Sequence, residues 1–380
     1  MATSRAHRLW GVMVPIISAG VAVSSGVVSA QAATVPGWRI VQTVGLPGGL
    51  SEVMSVSATG ANDGWAAGIV GSGMGPSPLL AERWNGSAWQ MLPGTAGLVK
   101  TGVDNAVVEA DSAADAWVFA GTNGSVNDFT DALHWNHGRW TTTRFVNWSS
   151  VTSAAVFSPS NAWAFGVVIL PKFRLLAERY NGKGWRNVTM PVVPEGTSAL
   201  GPRDIWAVGP VTPASAKSAD AIANWNGTSW RSVRFPRLRL GAGVSIVNPN
   251  VVALGRNNVW VASSLGKGMG IFPGALLLHW NGSRWRHVRT PFPTEEVGPL
   301  TRDGHGGIWI SAFGSSKGLP AYFYHYSHGT WRRVRVPTVP ANTTQISSIR
   351  SIPGTRSVWA GGEILPSDGS AQGVVLKFGP

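Results

Sequence analysis

Three histidines recur at matching places in this chain of 380 residues and are the first candidates for chemistry. His134, His279 and His325 each stand directly before an aromatic residue. Two of them lie three residues before another histidine, in the pairs His134/His137 and His325/His328, and this spacing suits metal ligands. Each pair straddles a short Asn/Gly-rich turn and lacks a third ligand nearby. We therefore predict no metal site here.

Paired carboxylates could hydrolyse a glycosidic bond, provided that two of them converge on it. Glu82 and Glu178 are each followed by an arginine, which indicates one repeated position on two different repeats. Convergence of these two side chains is therefore not expected. Asp128 and Asp131 could contribute to a calcium site, but a solvated loop is the favoured interpretation. The chain has no cysteine, which excludes disulfides, thiolate nucleophiles and thiolate metal sites. We predict no catalytic residue, no metal and no cofactor.

Regularly spaced tryptophans indicate the elements that position these residues. A tryptophan within a short apolar run recurs at intervals of 43 to 54 residues, at Trp65, Trp117, Trp163, Trp206, Trp260, Trp309 and Trp359. A second motif follows each run except the last, and consists of an aromatic residue, an Asn/Gly-rich turn and a tryptophan, as in WNGSAW (84–89) and WNGSRW (280–285). Such a turn joins two neighbouring strands into a β-hairpin. With a β-prone run before each first tryptophan, every repeat contains four short strands, which is the period of a propeller blade.

The two ends of the chain supply complementary halves of one repeat. The seventh repeat stops after its third strand, at VVLKFGP (374–380), and lacks the second tryptophan. The missing strand matches GWRIVQTV (37–44), where Trp38 takes that position. Pairing of these ends would close a ring and remove the open sheet edges. The sequence therefore predicts an all-β, seven-bladed β-propeller of four-stranded blades, closed by the N-terminal strand in the last blade.

The succession of apolar strand, glycine, variable loop, aromatic–Asn, tryptophan and proline resembles kelch-type propeller repeats. It is also similar to Trp-rich propellers of secreted actinobacterial proteins. The chain departs from the kelch pattern because the glycine doublet of that family occurs only at Gly361-Gly362. The resemblance covers residues 37–380, which we take as one domain, and it implies a fold without implying a function.

The first 32 residues have the features of a signal peptide. Arg5, His7 and Arg8 are followed by an uncharged, apolar stretch and by Ala30-Gln31-Ala32, which fits cleavage after Ala32. The alternative is an uncleaved anchor helix, although Gly and Ser dilute the apolar stretch. No later run is long enough to span a membrane, so we expect a secreted, extracellular protein.

Positive charge is concentrated in the second half of the chain. Residues 33–196 carry 10 Lys/Arg and 11 Asp/Glu, whereas residues 197–380 carry 19 and 7. Much of the excess lies on predicted outer strands, as in WRSVR (230–234) and WRRVR (331–335). Charges on an edge strand prevent sheet-to-sheet aggregation, which is one explanation. The alternative is a basic arc that binds an anionic polymer outside the cell.

The loops between the second and third strands vary most, and variable loops on a rigid frame often carry recognition. We predict a ligand site on this loop face, at Trp148, Lys172, Phe173, Arg174, Lys267, Met269, Phe272 and Lys317. We assign structural roles to the repeat tryptophans Trp38, Trp65, Trp117, Trp163, Trp206, Trp260, Trp309 and Trp359.

Two functions remain open from the sequence. The first is a non-enzymatic binding or scaffold propeller for an extracellular polymer (anionic or glycan) or a protein, with nucleic acid the least expected partner and a monomer the expected state. The second is a carbohydrate-active enzyme, a hydrolase or lyase, with a site at the propeller axis. The residues that line the axial channel should distinguish them.

Overall fold

The computed structural model describes residues 37–45, 48–71, 77–95, 98–99, 102–122, 129–146, 148–168, 174–211, 220–268, 271–292, 295–314, 321–337 and 342–380. Its regular structure in these residues is β, without an α-helix. The predicted signal peptide lies outside the described residues. Within them, no helix is long and apolar enough to cross a membrane.

The strands form seven antiparallel sheets of four, which are the predicted blades. The four strands of each blade are called a, b, c and d, from the inner strand to the outer strand. Blade 1 contains β2 (Leu50–Gly60), β3 (Asp63–Gly71), β4 (Leu79–Trp84) and β5 (Trp89–Met91). Blade 2 contains β6 (Asn105–Ser112), β7 (Asp115–Gly121), β8 (Phe129–Asn136) and β9 (Arg139–Val146). Blade 3 contains β10 (Trp148–Ser158), β11 (Asn161–Val168), β12 (Arg174–Tyr180) and β13 (Trp185–Thr189). Blade 4 contains β14 (Gly196–Gly201), β15 (Asp204–Pro210), β16 (Asp220–Trp225) and β17 (Trp230–Val233). Blade 5 contains β18 (Val244–Gly255), β19 (Asn258–Lys267), β20 (Gly274–Trp280) and β21 (Trp285–His287). Blade 6 contains β22 (Glu295–Arg302), β23 (Ile308–Gly314), β24 (Ala321–Ser327) and β25 (Thr330–Arg335).

Blade 7 joins the two ends of the chain, as predicted. It contains β26 (Thr343–Ser351), β27 (Val358–Leu365), β28 (Gln372–Phe378) and, as its outer strand, β1 (Trp38–Val44). Trp38 pairs with Phe378, and the register continues to Val44 opposite Gly373. The ring is therefore closed by hydrogen bonds between its first and last strands, which leaves no blade incomplete.

The turns between third and fourth strands follow from a repeated asparagine. The side-chain oxygen of Asn85 accepts hydrogen bonds from the backbone N–H groups of Ser87 and Ala88, at 2.9 and 3.0 Å. Gly86 between them has φ +97°, a left-handed conformation that glycine adopts without a steric penalty. The same Asn turn recurs at Asn181, Asn226 and Asn281.

The core lies mainly between adjacent blades, where the strand-b tryptophans pack. Trp117 of blade 2 contacts Trp185 of blade 3 edge-to-face, with ring centroids 4.8 Å apart. Trp359 of blade 7 contacts Trp89 of blade 1 in the same way, at 4.3 Å. All eight repeat tryptophans are buried, with at most 8% of their surface exposed. Such aromatic pairs stabilise the junctions beyond the burial of apolar area alone.

A small residue three positions after the strand-b tryptophan allows neighbouring backbone to approach. A Cβ atom added to Gly68 would lie 1.9 Å from the carbonyl oxygen of Glu52 on the inner strand of the same blade. The same distance separates a Cβ at Gly362 from the carbonyl oxygen of Gln345 on β26, and a Cβ at Gly209 from that of Val193, which precedes β14. Gly68 and Gly362 are therefore required by packing between the first two strands of the blade, and Gly209 by packing against the segment that leads into the blade.

Candidate binding site

The three repeated histidines belong to a structural contact in three separate blades. His134 Nε2 lies 2.6 Å from Asp115 Oδ1, and the imidazole stacks on Trp117 with centroids 4.1 Å apart. His279 pairs with Asn258 and His325 with Asp303, both at 2.8 Å. The partner in blades 2 and 5 stands two residues before the strand-b tryptophan, a signal that sequence reasoning missed.

The second histidine of each sequence pair, His137 or His328, lies in a hairpin turn. His137 and His328 both have φ +50° and are exposed. No contact within the described residues brings either of them and its paired histidine to a common point. Among the described residues no group of three His, Cys, Asp or Glu side chains could hold a metal ion.

Glu82 and Glu178 are buried at the same position of blades 1 and 3. Burial raises the pKa of each to about 7. Glu82 accepts one long hydrogen bond, 3.4 Å, from Gln42 on the closing strand β1, and its second carboxylate oxygen has no partner among the described residues. The corresponding oxygen of Glu178 has none among them either. They lie in different blades, as expected from the repeat, so they do not form a carboxylate pair.

A cavity of about 370 Å³ lies where the seven inner strands converge. Every blade contributes to it, through the C-terminal ends of β2, β6, β10, β14, β18, β22 and β26. These strand ends lead into the a–b turns, so the cavity opens on the face that carries the a–b and c–d turns, here called the turn face. The volume lies within the usual range of small-molecule sites.

The charged residues of the cavity come from three blades. Glu109 of blade 2 and Arg350 of blade 7 form an ion pair of 2.6 Å that passes in front of blade 1. Burial raises the pKa of Glu109, while the nearby guanidinium groups of Arg350 and Arg302 oppose this shift. Arg302 of blade 6 and Asp111 of blade 2 complete the set, and both are exposed.

Three hydroxyl groups in the cavity wall also hold neighbouring blades together. Ser57 accepts a hydrogen bond from the N–H of Ala110, at 3.1 Å, and Ser198 accepts one from Ala253, at 3.0 Å. Thr301 accepts one from Ser351, at 3.1 Å. All three occupy the inner-strand position that pairs with the strand-b tryptophan. Each hydroxyl oxygen is therefore held by a backbone N–H group, and within the described part of the chain none of the three hydroxyls donates a hydrogen bond.

A second charged feature follows the outer edge of the ring. Arginine occupies the position after the strand-d tryptophan in five consecutive blades, 3 to 7, and in blades 4 to 6 a further arginine lies three residues later. We call the seven exposed members the arginine rim: Arg186, Arg231, Arg234, Arg286, Arg289, Arg332 and Arg335. The fifth first-position residue, Arg39, is half-buried and donates to the carbonyl of Gly379.

The arginine rim is not neutralised by the protein. Within the described ranges, none of its seven guanidinium groups forms an ion pair with a carboxylate. Blades 1 and 2 have Gln90 and Thr141 at the first rim position, where blades 3 to 6 have arginine. Both are exposed on equivalent edge strands. Protection of a strand edge therefore does not require arginine in this fold.

The predicted loop-face residues have different environments. Trp148 begins β10 and is buried, with 4% exposure and its ring 5.4 Å from Phe145. Lys267 is exposed at the end of β19, and Phe272 is half-buried. Arg174 begins β12. The remaining four, Lys172, Phe173, Met269 and Lys317, lie outside the described residues.

Comparison with models of known protein families gives no match, and comparison with curated proteins gives none either. Solved structures do resemble the chain. "YCF48 bound to D1 peptide" is 13% identical with a TM-score of 0.54, over 92% of this chain and 97% of that chain. A polysaccharide lyase, an ulvan lyase, is 11% identical with a TM-score of 0.51, over 85% and 96%. A prolyl endopeptidase is 8% identical with a TM-score of 0.52, over 86% of this chain and 50% of that chain. At such identities the likeness shows the propeller fold alone.

Proposed function

We propose that the protein is a secreted, non-catalytic propeller that binds an extracellular anionic polymer along its arginine rim. The observation that carries this proposal is the repetition, at one register in consecutive blades, of an exposed arginine that has no ion pair among the described residues. A polymer with regularly spaced charges can follow such a row, because blades 3 to 6 carry an exposed arginine at the same register. Planar guanidinium groups also bind carboxylate and sulfate oxygens in a bidentate manner.

The neighbouring structures are consistent with ligand binding by this fold. Of the neighbours named above, one is a structure with a bound D1 peptide and another is a polysaccharide lyase. A second contact surface on the loop face remains a prediction. It would include Lys267, Phe272 and the other loop-face residues predicted from the sequence. Export also remains a prediction. We expect the N-terminus of the secreted protein to be Ala33, and Edman sequencing of the exported protein would test this.

The rim proposal is tested with polygalacturonate and with neutral dextran, at low and moderate salt. A variant with Arg186, Arg231, Arg286 and Arg332 all changed to Gln removes the first rim position of four blades. At about 0.5 kcal/mol for each exposed contact, we expect about a 30-fold loss of affinity. Because exposed charges are screened, binding by the unaltered protein should also weaken strongly as salt increases.

A charge-matched control separates the rim from net charge. The control carries Arg139→Gln, Arg203→Gln, Arg256→Gln and Arg356→Gln, four exposed arginines outside the rim. It should bind nearly as well as the unaltered protein. An equal loss in both variants, or tight binding of neutral dextran, would contradict recognition by the rim.

A further inference from the structure

The axial cavity has chemistry that the rim does not use. Three of its wall hydroxyls, on Ser57, Ser198 and Thr301, accept hydrogen bonds from backbone N–H groups but donate no hydrogen bond to any of the described residues. Their hydrogens are therefore available to an oxygen-rich ligand. Since each oxygen is fixed by the amide of a neighbouring blade, these donors are preorganised, which reduces the entropic cost of binding.

The charges of the cavity divide into a neutralised pair and two single groups. Glu109 and Arg350 neutralise one another at 2.6 Å. Arg302 lacks a carboxylate partner of its own among the residues that the structure describes, although its charge opposes the rise that burial causes in the pKa of Glu109. It can bind one carboxylate of a ligand through a bidentate interaction. Asp111 accepts hydrogen bonds only, when ionised, and therefore suits hydroxyl groups of a ligand.

This combination selects among anions. A phosphate dianion would leave one of its two charges unmatched, because Arg302 is the single unpaired cation among the described lining residues and Asp111 repels the ligand. A ligand with a single negative charge and several hydroxyl groups satisfies Arg302, Asp111 and the three hydroxyls together. We propose that the axial cavity is a binding site for a carboxylated sugar, a uronic acid residue at the end of a chain or alone.

The proposal is tested by isothermal titration calorimetry with glucuronate, with glucose and with glycerol phosphate as probes. We expect glucuronate to bind, and Arg302→Gln to weaken it about 10- to 100-fold through loss of a charge-assisted hydrogen-bond pair. The matched control is Arg356→Gln, an exposed arginine that lies outside the cavity lining. It should leave the affinity for glucuronate unchanged. Because Arg302 is exposed, its replacement should not prevent folding.

Several results would overturn the assignment. They are equal affinity for glucose and glucuronate, equal or tighter binding of glycerol phosphate, and an unchanged affinity in Arg302→Gln. The site and the rim fail independently: the fourfold rim variant should retain glucuronate binding, and Arg302→Gln should retain polygalacturonate binding at low salt. Cleavage of a uronate oligomer that is lost in Glu109→Gln would support the ligand class and overturn the non-catalytic function proposed above.

Discussion

The buried carboxyl of Glu82 should make the ring less stable as pH rises. Its pKa is about 7 in the folded protein, against 4.5 for an ordinary glutamate, because burial disfavours the charged form. Below pH 4.5 the group is protonated in both states and costs nothing. Between pH 4.5 and 7 the unfolded chain loses its proton and the folded protein keeps it, so stability falls as pH rises. Above pH 7 the full cost applies.

The size of the effect follows from the displacement of the pKa. Moving the pKa from 4.5 to about 7 corresponds to about 3 kcal/mol, at about 1.4 kcal/mol per pKa unit. Glu82→Gln keeps the shape and removes the charge. It should therefore increase the free energy of unfolding by up to about 3 kcal/mol at pH 8 and change it little at pH 4. Urea unfolding followed by tryptophan fluorescence measures both values.

The repeat provides controls for this experiment. Glu178 occupies the same position in blade 3, with a pKa also raised to about 7, so Glu178→Gln should show the same pH dependence. Leu133, Leu278 and Leu376 occupy that position in other blades, so Glu82→Leu should also be tolerated. If Glu82→Gln destabilises the protein at pH 8, or changes stability equally at both pH values, the argument from burial is wrong.

Three further predictions concern closure, an acid-sensitive pair and backbone packing. Trp38→Ala should lower the free energy of unfolding by about 3–5 kcal/mol, because the indole is 8% exposed and stacks on Phe323 of blade 6 at 3.7 Å. Urea unfolding measures the loss. An effect under about 1 kcal/mol would argue against closure of the ring by β1. Burial would raise the pKa of Asp303, but hydrogen bonds from His325 and from two backbone N–H groups lower it to about 2. The carboxylate therefore contributes to the free energy of unfolding above pH 3.8, and this contribution is lost as pH falls toward 2. Asp303→Asn should accordingly cost about 2 kcal/mol at pH 7 and little near pH 2 in the same assay, and a cost independent of pH would refute this. Gly68→Ala should strongly reduce the yield of soluble protein and the urea concentration at the midpoint of unfolding. Gly60→Ala should not, because a Cβ atom at Gly60 meets nothing within 4 Å. Similar behaviour of the two variants would contradict the packing argument.

The fold could be predicted largely because its information is local and repeated. Turn residues such as Asn85-Gly86 and the spacing of the tryptophans are visible without knowledge of distant contacts. Closure is the one long-range feature that was also predictable, since Trp38 completes a pattern that Phe378 leaves unfinished. The repeat likewise predicted that the histidines and glutamates would be distributed among blades, and the structure places them so.

The candidate site was less predictable, because its residues share no motif. Glu109, Arg302 and Arg350 come from three blades and are far apart in the sequence, and nothing near any of them indicates a partner. The sequence favoured the loop face, whereas the described cavity opens on the turn face. Trp148 shows the same difficulty, since its side chain packs on Phe145 in a way that its neighbours in sequence do not reveal.

The amino-acid sequence by itself determined the number of blades, the strand order and the closure, because hydrophobic alternation and turn chemistry act over a few residues and recur seven times. It also determined that arginines accumulate on the outer strands. Only the tertiary structure decided which charges neutralise one another and which remain free. Ion pairing depends on distances of a few ångströms between blades, and the ring brings Glu109 to Arg350 across 241 residues of chain while leaving the arginine rim unpaired among the described residues.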